Sequence, residues 1–167
     1  MNPARRNLLL SAPLLLTGCG FALRQAPRFG FRSIYLALPD SSALGLELRR
    51  QLQGTGNVQV IADAAQRDKA EVVLESPGEQ RERAVVSVTA RGEVREFQLR
   101  IRFRFRLRAA DGRELLPMSE ILRQIDQSYS ESAALSKEQE TLMLYQNMQN
   151  DIVQQVLRRL ATVRAGS

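Results

Sequence analysis

Cys19 is the only thiol of this 167-residue chain, which contains no histidine. A thiolate is a nucleophile that can be acylated or oxidised, but a lone cysteine forms no disulfide within its own chain. Without histidine, Ser-His-Asp and Cys-His catalysis and the usual zinc sites are excluded. The acids are scattered or lie in helical charge patterns, as Glu138 and Glu140 do, and no glycine-rich phosphate loop occurs. We therefore expect no enzymatic activity, no cofactor and no metal.

Residues 97–109 carry a second informative pattern, in which apolar and polar side chains alternate. At the two-residue period of a β-strand, one face is apolar and the other bears arginines about 6.6–6.8 Å apart. These are Arg100, Arg102, Arg104, Arg106 and Arg108. Two interpretations remain open: the arginines form a solvated face and pair with acids on neighbouring strands, or they meet an anionic ligand or the wall of another protein.

Residues 1–18 are typical of a secretory signal, because Arg5 and Arg6 precede an apolar run and small residues follow it. The run from Leu8 to Leu16 is far shorter than the ~20 residues of a membrane-spanning helix. We expect it to be removed during export. Arg5-Arg6 leaves the route open between general secretion, which we favour, and twin-arginine export.

The cysteine that follows Leu16-Thr17-Gly18 resembles the lipobox of bacterial lipoproteins. The resemblance implies that Cys19 carries S-diacylglycerol and an N-acyl group. Two or three acyl chains hold a protein on a bilayer almost irreversibly. Gly20, where inner-membrane lipoproteins tend to have Asp, implies the periplasmic side of the outer membrane.

The mature chain is basic, since 24 basic residues less Arg5 and Arg6 leave 22 against 18 acids, a formal charge of +4. Export makes nucleic acid an unsuitable partner, so an anionic lipid or polysaccharide is expected. All basic residues except Lys69 and Lys137 are arginines. Either phosphate or carboxylate recognition or a GC-rich genome accounts for that choice.

Residues 19–31 predict a short lipidated tether, and residues 32–165 predict a single domain. Turn signals and hydrophobic periodicity divide the domain. A helix begins at Ser41 or Ser42 and carries Leu44, Leu48 and Leu52. The predicted strands cover 32–38, 58–61, 71–75, an extended segment at 84–90 with Val86 and Val88 on one side, 97–109, and 114–129 after the Asp111-Gly112 hairpin turn. Acids of the last strand are expected to reach some of the arginines.

The longest helix is predicted to begin with a capping box at Ser136. Its inward stripe is expected to contain Leu142, Tyr145, Met148, Ile152, Val153, Val156, Leu160 and Val163. The order of elements predicts an α+β sandwich, with two helices on one face of a mixed or antiparallel sheet of four to five strands.

The start Gly18-Cys19-Gly20-Phe21-Ala22-Leu23-Arg24 and the terminal helix segment QNDIVQQVLRRL, in this order and spacing, resemble the LptE family of lipopolysaccharide-assembly lipoproteins. The likeness covers essentially the whole chain. It implies a non-enzymatic partner that plugs the LptD outer-membrane β-barrel, helps it assemble and binds lipopolysaccharide.

The same resemblance points to two lipopolysaccharide-binding residues. Lys137 falls on a basic position of the family, and Arg91 in the turn Ala90-Arg91-Gly92 falls on another, with a possible offset of one residue. Both would pair with phosphates. The ordinary alternatives are a lysine at a helix start and a turn arginine.

Two alternatives to this function are a different periplasm-facing lipoprotein and a hydrolase. A lipoprotein that activates a peptidoglycan synthase or carries lipid would need a long reach or a large apolar pocket, and the tether of about a dozen residues supplies little reach. An unrecognised hydrolase would have to use the carboxylates.

Overall fold

The computed structural model describes residues 27–164. Cys19, the signal and the first part of the tether therefore lie outside the described residues. The described chain forms a six-stranded mixed sheet, and the helices and one face of the sheet enclose a single core. This confirms the predicted α+β sandwich, with six strands in place of the four to five that were predicted. Among these residues, no helix is both long and apolar enough to cross a membrane.

The strands are β1 (Ser33–Ala37), β2 (Gln59–Ile61), β3 (Val72–Glu75), β4 (Glu79–Val88), β5 (Val94–Ala109) and β6 (Glu114–Ser128). The helices are α1 (Ala43–Gly54) and α2 (Ala134–Ala161), with 3₁₀ turns at Ala64–Lys69 and Glu131–Ala133. Followed through hydrogen-bonded neighbours, the sheet order is β2-β1-β3-β5-β4. β3 and β4 pair with successive parts of one edge of β5, and β6 pairs with its other edge. β1 is parallel to β2 and β3, and the pairs made by β5 are antiparallel.

The alternation predicted for residues 97–109 is confirmed. The inward side chains Leu99, Ile101, Phe103, Phe105 and Leu107 have no solvent exposure, and the five arginines lie on the opposite, outer face. β5 begins three residues earlier than predicted, at Val94.

β4 begins at Glu79, five residues before the predicted start. Residues 79–83 are polar, and 80–83 are exposed, so they lack the apolar alternation that signals a strand. β3 and β4 follow the same edge of β5, interrupted by a bulge in which residues 76–78 lie opposite 104–105. Near the other end of β4, register shifts interrupt the alternation expected of Val86 and Val88, and both are exposed.

α1 follows the prediction. Ser42 is the N-cap, and its hydroxyl accepts a hydrogen bond from the Gly45 amide at 2.9 Å. Leu44, Leu48 and Leu52 are fully buried.

The predicted start of α2 is wrong. The helix begins at Ala134, its N-cap Ala133 has no side-chain hydrogen bond, and the Ser136 hydroxyl donates to the Ala133 carbonyl at 2.8 Å. A 3₁₀ turn leads directly into the helix, so Ser136 lies within the first turn and no capping box forms.

One member of the predicted inward stripe is also misplaced. Leu142 is 60% exposed, whereas Thr141 is 3% exposed. One residue along a helix is a 100° rotation, so the stripe that contains Met148 and Ile152 passes through Thr141 and misses Leu142. The remaining predicted members are buried or packed against the core.

The domain has two ends, which carry different segments of the chain. Gly30 bridges to Arg164, and Phe31 is buried, so the tether enters the domain beside the end of α2. We call this the tether end; it includes the β5–β6 turn, because the Ala110 amide donates to the Glu71 carbonyl. The opposite, hairpin end contains the β4–β5 turn and the first turn of α2, a helix of 28 residues and therefore about 42 Å long.

Candidate functional site

Glu75 lies at the centre of the charged pairs on the outer face. Its carboxylate is 2.6 Å from Arg106, 3.0 Å from Arg67 and 3.9 Å from Arg108, with 20% side-chain exposure. Burial by itself raises the pKa of Glu75, but the hydrogen bond from Arg106 and the charges of Arg106, Arg108 and Arg67 together hold that pKa below its ordinary value. The end of the arginine row that contains Arg106 and Arg108 is thus a cluster of three arginines around one carboxylate.

Two further arginines reach acids on the flanking strands. Arg102 lies 3.6 Å from Glu120 of β6, and Arg100 lies 3.9 Å from Glu82 of β4. Such half-exposed pairs contribute little stability individually. The expectation that β6 acids reach some arginines is therefore confirmed for Arg102.

Arg104 differs from the other four. It is exposed, and its guanidinium forms no ion pair or hydrogen bond with any residue between 27 and 164. Its cross-strand neighbour Glu120 contacts Arg102 instead, and the bulge at 76–78 leaves no acid on the other side. Leu122 and Met118, 45% and 53% exposed, add apolar surface to β6, and the sheet pairing places Leu122 on the outer face opposite Arg102.

Lys137 lies in the first turn of α2 at the hairpin end. Its ammonium donates to Glu140 at 2.8 Å and to the Ser128 hydroxyl at 3.2 Å. Beneath it, Gln127 and Thr141 are 2% and 3% exposed. The Gln127 amide donates to the Lys137 carbonyl at 3.0 Å and accepts from the Thr141 hydroxyl at 2.8 Å. This buried clamp attaches the first turns of α2 to β6 through a helix carbonyl and a side-chain hydroxyl. It is not a cap, because a cap accepts hydrogen bonds from the first helix amides.

Arg91 lies in the β4–β5 turn, where Gly92 has φ +85°, a left-handed conformation that favours glycine. The turn is closed by the Thr89 hydroxyl, which accepts from the Arg91 and Glu93 amides at 3.2 and 3.1 Å. The structure therefore brings Lys137 and Arg91 to the same end of the sheet. It also brings the acids Glu93, Glu96 and Glu131 there.

Two aromatic rings and Arg83, which the sequence did not identify, join the parts of the hairpin end. Phe97 and Tyr129 pack edge to face at 5.1 Å, and the Arg83 guanidinium lies 3.9 Å from the Phe97 centroid and 3.1 Å from Glu138. Tyr129 also borders an open cavity of about 330 Å³, with Thr89, Arg95 and Ser130 in its lining. These contacts join residues far apart in the chain, so no local pattern could have predicted them.

The described residues contain no cluster of three or more acidic, histidine or cysteine side chains that could hold a metal. The outer face and the hairpin end present guanidinium, ammonium and hydroxyl groups, all of which can donate hydrogen bonds. Such groups recognise carboxylates and phosphates.

Comparison with known proteins yields a consistent set of relatives. A family model described as LptE, lipopolysaccharide-assembly, matches residues 31–160. Proteins of Yersinia pestis (strain Pestoides F) and Yersinia pseudotuberculosis (strain YPIII), both called LPS-assembly lipoprotein LptE, are 29% identical over 164 residues, which cover 95% of this chain and 76% of theirs.

Solved structures resemble the fold. Lipoprotein B of Nitrosomonas europaea, described as uncharacterized, has a TM-score of 0.72 and 32% identity, and the match covers 85% of this chain and 90% of that one. The rare lipoprotein B of Shewanella oneidensis has a TM-score of 0.65 with 21% identity, over 78% of this chain and 95% of that one.

Proposed function

The chain belongs to the LptE family of lipopolysaccharide-assembly proteins, and from that membership we propose that it is a lipid-anchored, non-enzymatic plug of the LptD barrel that binds lipopolysaccharide. The family assigns it a role in lipopolysaccharide assembly. The plug, the anchor on Cys19 and the binding of lipopolysaccharide are the proposed parts.

The uncovered outer face of the sheet carries the plug proposal. The core contains side chains of both helices and the inward residues of β5, so the arginine face is left for a partner. The interior of an outer-membrane barrel is polar, and a row of half-exposed ion pairs with one unpaired cation suits such a wall. An acid of the barrel that meets Arg104 would complete the row.

The hairpin end supports the proposal for lipopolysaccharide. Lys137 and Arg91 lie there together, about the length of α2 away from the tether. Each offers a cation for a phosphate of the lipid, and the Thr89, Ser128 and Ser130 hydroxyls nearby offer neutral donors. Glu140 competes for Lys137, so ligand phosphate has to displace that carboxylate.

Affinity capture from native membranes tests the proposed partner. Tagged protein extracted in mild detergent is expected to retain a large outer-membrane β-barrel protein, identified by mass spectrometry. The variant Arg104→Glu is expected to reduce recovery of the barrel. Arg50→Glu, a change at an exposed α1 residue away from the outer face, serves as the matched control. Recovery of the wild-type protein alone would contradict the proposal.

Acylation is tested separately on the same purified chain. Its intact mass is expected to show loss of residues 1–18 and addition of lipid, and Cys19→Ser is expected to abolish both. An unprocessed, unacylated wild-type chain would contradict the anchor.

A further inference from the structure

The two ends of the domain differ in charge as well as in position. Exposed basic side chains without an ion pair to any described residue gather at the tether end: Arg28, Arg32, Lys69, Arg158 and Arg164. Arg28 and Arg32 flank the bridge from Gly30 to Arg164. Lys69 is adjacent to them, because its carbonyl lies 3.5 Å from the Ser33 hydroxyl.

The acids of the tether end compensate for these cations only in part. Glu71 accepts a hydrogen bond from the Arg32 amide at 2.8 Å, and Asp111 lies 3.8 Å from Arg113. Asp68 and Glu114 are also exposed there. Cations without an ion pair therefore outnumber acids without one. At the hairpin end the balance is reversed, since the cations without an ion pair to a described residue, Arg91 and Arg95, are outnumbered by the acids without one, Glu93, Glu96 and Glu131.

We propose that the tether end is a docking surface for the anionic phosphate headgroups of the bilayer that holds the lipid on Cys19. The inference rests on the proposed acylation of Cys19. It assigns an orientation, with the basic tether end against the headgroups and the hairpin end directed away from them.

The length of chain outside the structure supports a bilayer as the occupant. Pro27 comes eight residues after Cys19, and eight residues span at most ~28 Å when fully extended. An anchored lipid therefore keeps the tether end near the headgroups and raises its effective concentration there. The hairpin end, a further ~42 Å along α2, is not confined in this way. Headgroup attraction acts within a Debye length of about 8 Å at physiological salt, so only the confined end benefits.

Hydrogen exchange of the acylated full-length protein in vesicles tests the docking. Vesicles of phosphatidylcholine with phosphatidylglycerol are compared with vesicles of phosphatidylcholine alone. We expect slower amide exchange at residues 30–33, 68–71 and 110–113 in the anionic vesicles, reversed by added salt, and unchanged exchange at residues 89–93. Each Lys or Arg near an anionic surface contributes roughly a fivefold factor, so the triple variant Arg32→Gln, Lys69→Gln, Arg164→Gln should shift the docked population by on the order of a hundredfold.

The matched control is Arg91→Gln with Arg95→Gln, which removes cations from the hairpin end and is expected to leave the protection intact. Equal protection in neutral and anionic vesicles, or equal loss in both sets of variants, would overturn the proposal. If the triple variant does not fold, the wild-type protein provides the test, because protection that persists in high salt also overturns the proposal. An acylated protein without this protection refutes docking and leaves the anchor standing, whereas an unacylated chain refutes both.

Discussion

The carboxylate of Glu79, the first residue of β4, accepts a hydrogen bond from the hydroxyl of Ser42, the N-cap of α1, at 2.5 Å. It also accepts from the Ala43 and Leu44 amides at 3.1 and 3.4 Å. A strand residue thus satisfies helix amides and places negative charge at the positive end of the helix dipole. The contact fixes α1 to the edge of the sheet.

Glu79→Ala is therefore expected to lower the free energy of unfolding by about 1–2 kcal/mol, the usual cost of removing a cap. Urea denaturation measures this change in the free energy of unfolding. Glu82→Ala, on the outer face of the same strand with 49% side-chain exposure, should cost under about 0.5 kcal/mol. Equal losses in the two variants would show that the capping contact is not stabilising.

The Gln127–Thr141 clamp predicts a second stability effect. Gln127→Ala removes the hydrogen bond that Gln127 donates to the Lys137 carbonyl and the one that it accepts from Thr141. The Thr141 hydroxyl can still donate to the Lys137 carbonyl at 2.8 Å, so we expect a loss of about 1–2 kcal/mol. The first turn of α2 should also exchange its amide hydrogens faster. The control is Gln124→Ala, an exposed residue of the same strand. Unchanged exchange at residues 134–138 would argue against the clamp.

Phe103 tests the assignment of the sheet faces. It is fully buried, so Phe103→Asp loses roughly 3–5 kcal/mol of packing and places an unpaired charge in the core. We expect an unfolded or insoluble protein by circular dichroism. Its neighbour Arg104, changed to Asp, should keep the wild-type melting profile. A soluble Phe103→Asp variant with unchanged melting would mean that the faces are reversed.

Glu75 predicts a pH dependence of stability. Because its folded-state pKa lies below the ordinary value of 4.5, ionised Glu75 stabilises the fold above that pH, and the contribution is lost as the pH falls through the lowered pKa. Glu75→Gln should therefore be about 1–2 kcal/mol less stable than wild type at neutral pH, after allowing for partly exposed partners. The difference should shrink below pH 4.5.

The matched variant for this measurement is Arg106→Gln, which removes the nearest cation and should weaken the acid-linked loss. Denaturation curves across the acid range compare the three proteins. A difference between wild type and Glu75→Gln that persists unchanged in strong acid would exclude the ionic explanation.

Substitutions at the hairpin end are expected to change the affinity for lipopolysaccharide in opposite directions. Lys137→Glu with Arg91→Glu should weaken binding, by roughly tenfold for each charge-assisted hydrogen bond that is removed. Glu140→Gln should strengthen it, because it releases Lys137 from its carboxylate partner. Binding of labelled lipopolysaccharide measures both, with Arg50→Gln as control. Unchanged affinity in a folded charge-reversal variant would refute a role for these residues.

Much of the fold was predictable because its signals are local. The five-arginine alternation located β5, and the spacing of Leu44, Leu48 and Leu52 located α1, because side-chain period follows directly from backbone geometry. The start of β4 at Glu79 was missed, since an exposed polar edge has no apolar alternation. Ser136 was misread as a cap because the residues before it continue the helix through a 3₁₀ turn.

The candidate site was less predictable. Sequence identified the cations Lys137 and Arg91 only through family resemblance, and nothing local indicated that Glu140 holds Lys137 or that Gln127 lies beneath it. These contacts depend on the register of β6 against β5 and on the rotation of α2 over the sheet.

The sequence by itself determined the main element types and the apolar inner and basic outer faces of β5, because these follow from the period of the side chains. Only the tertiary structure decided which carboxylate meets which arginine, that Arg104 alone of its row meets none among the described residues, and that the tether and the hairpin turn lie at opposite ends. The physical reason is that these ion pairs join side chains on strands that lie tens of residues apart in the sequence. Which side chains come together depends on strand order and register, and both are set only when the chain folds.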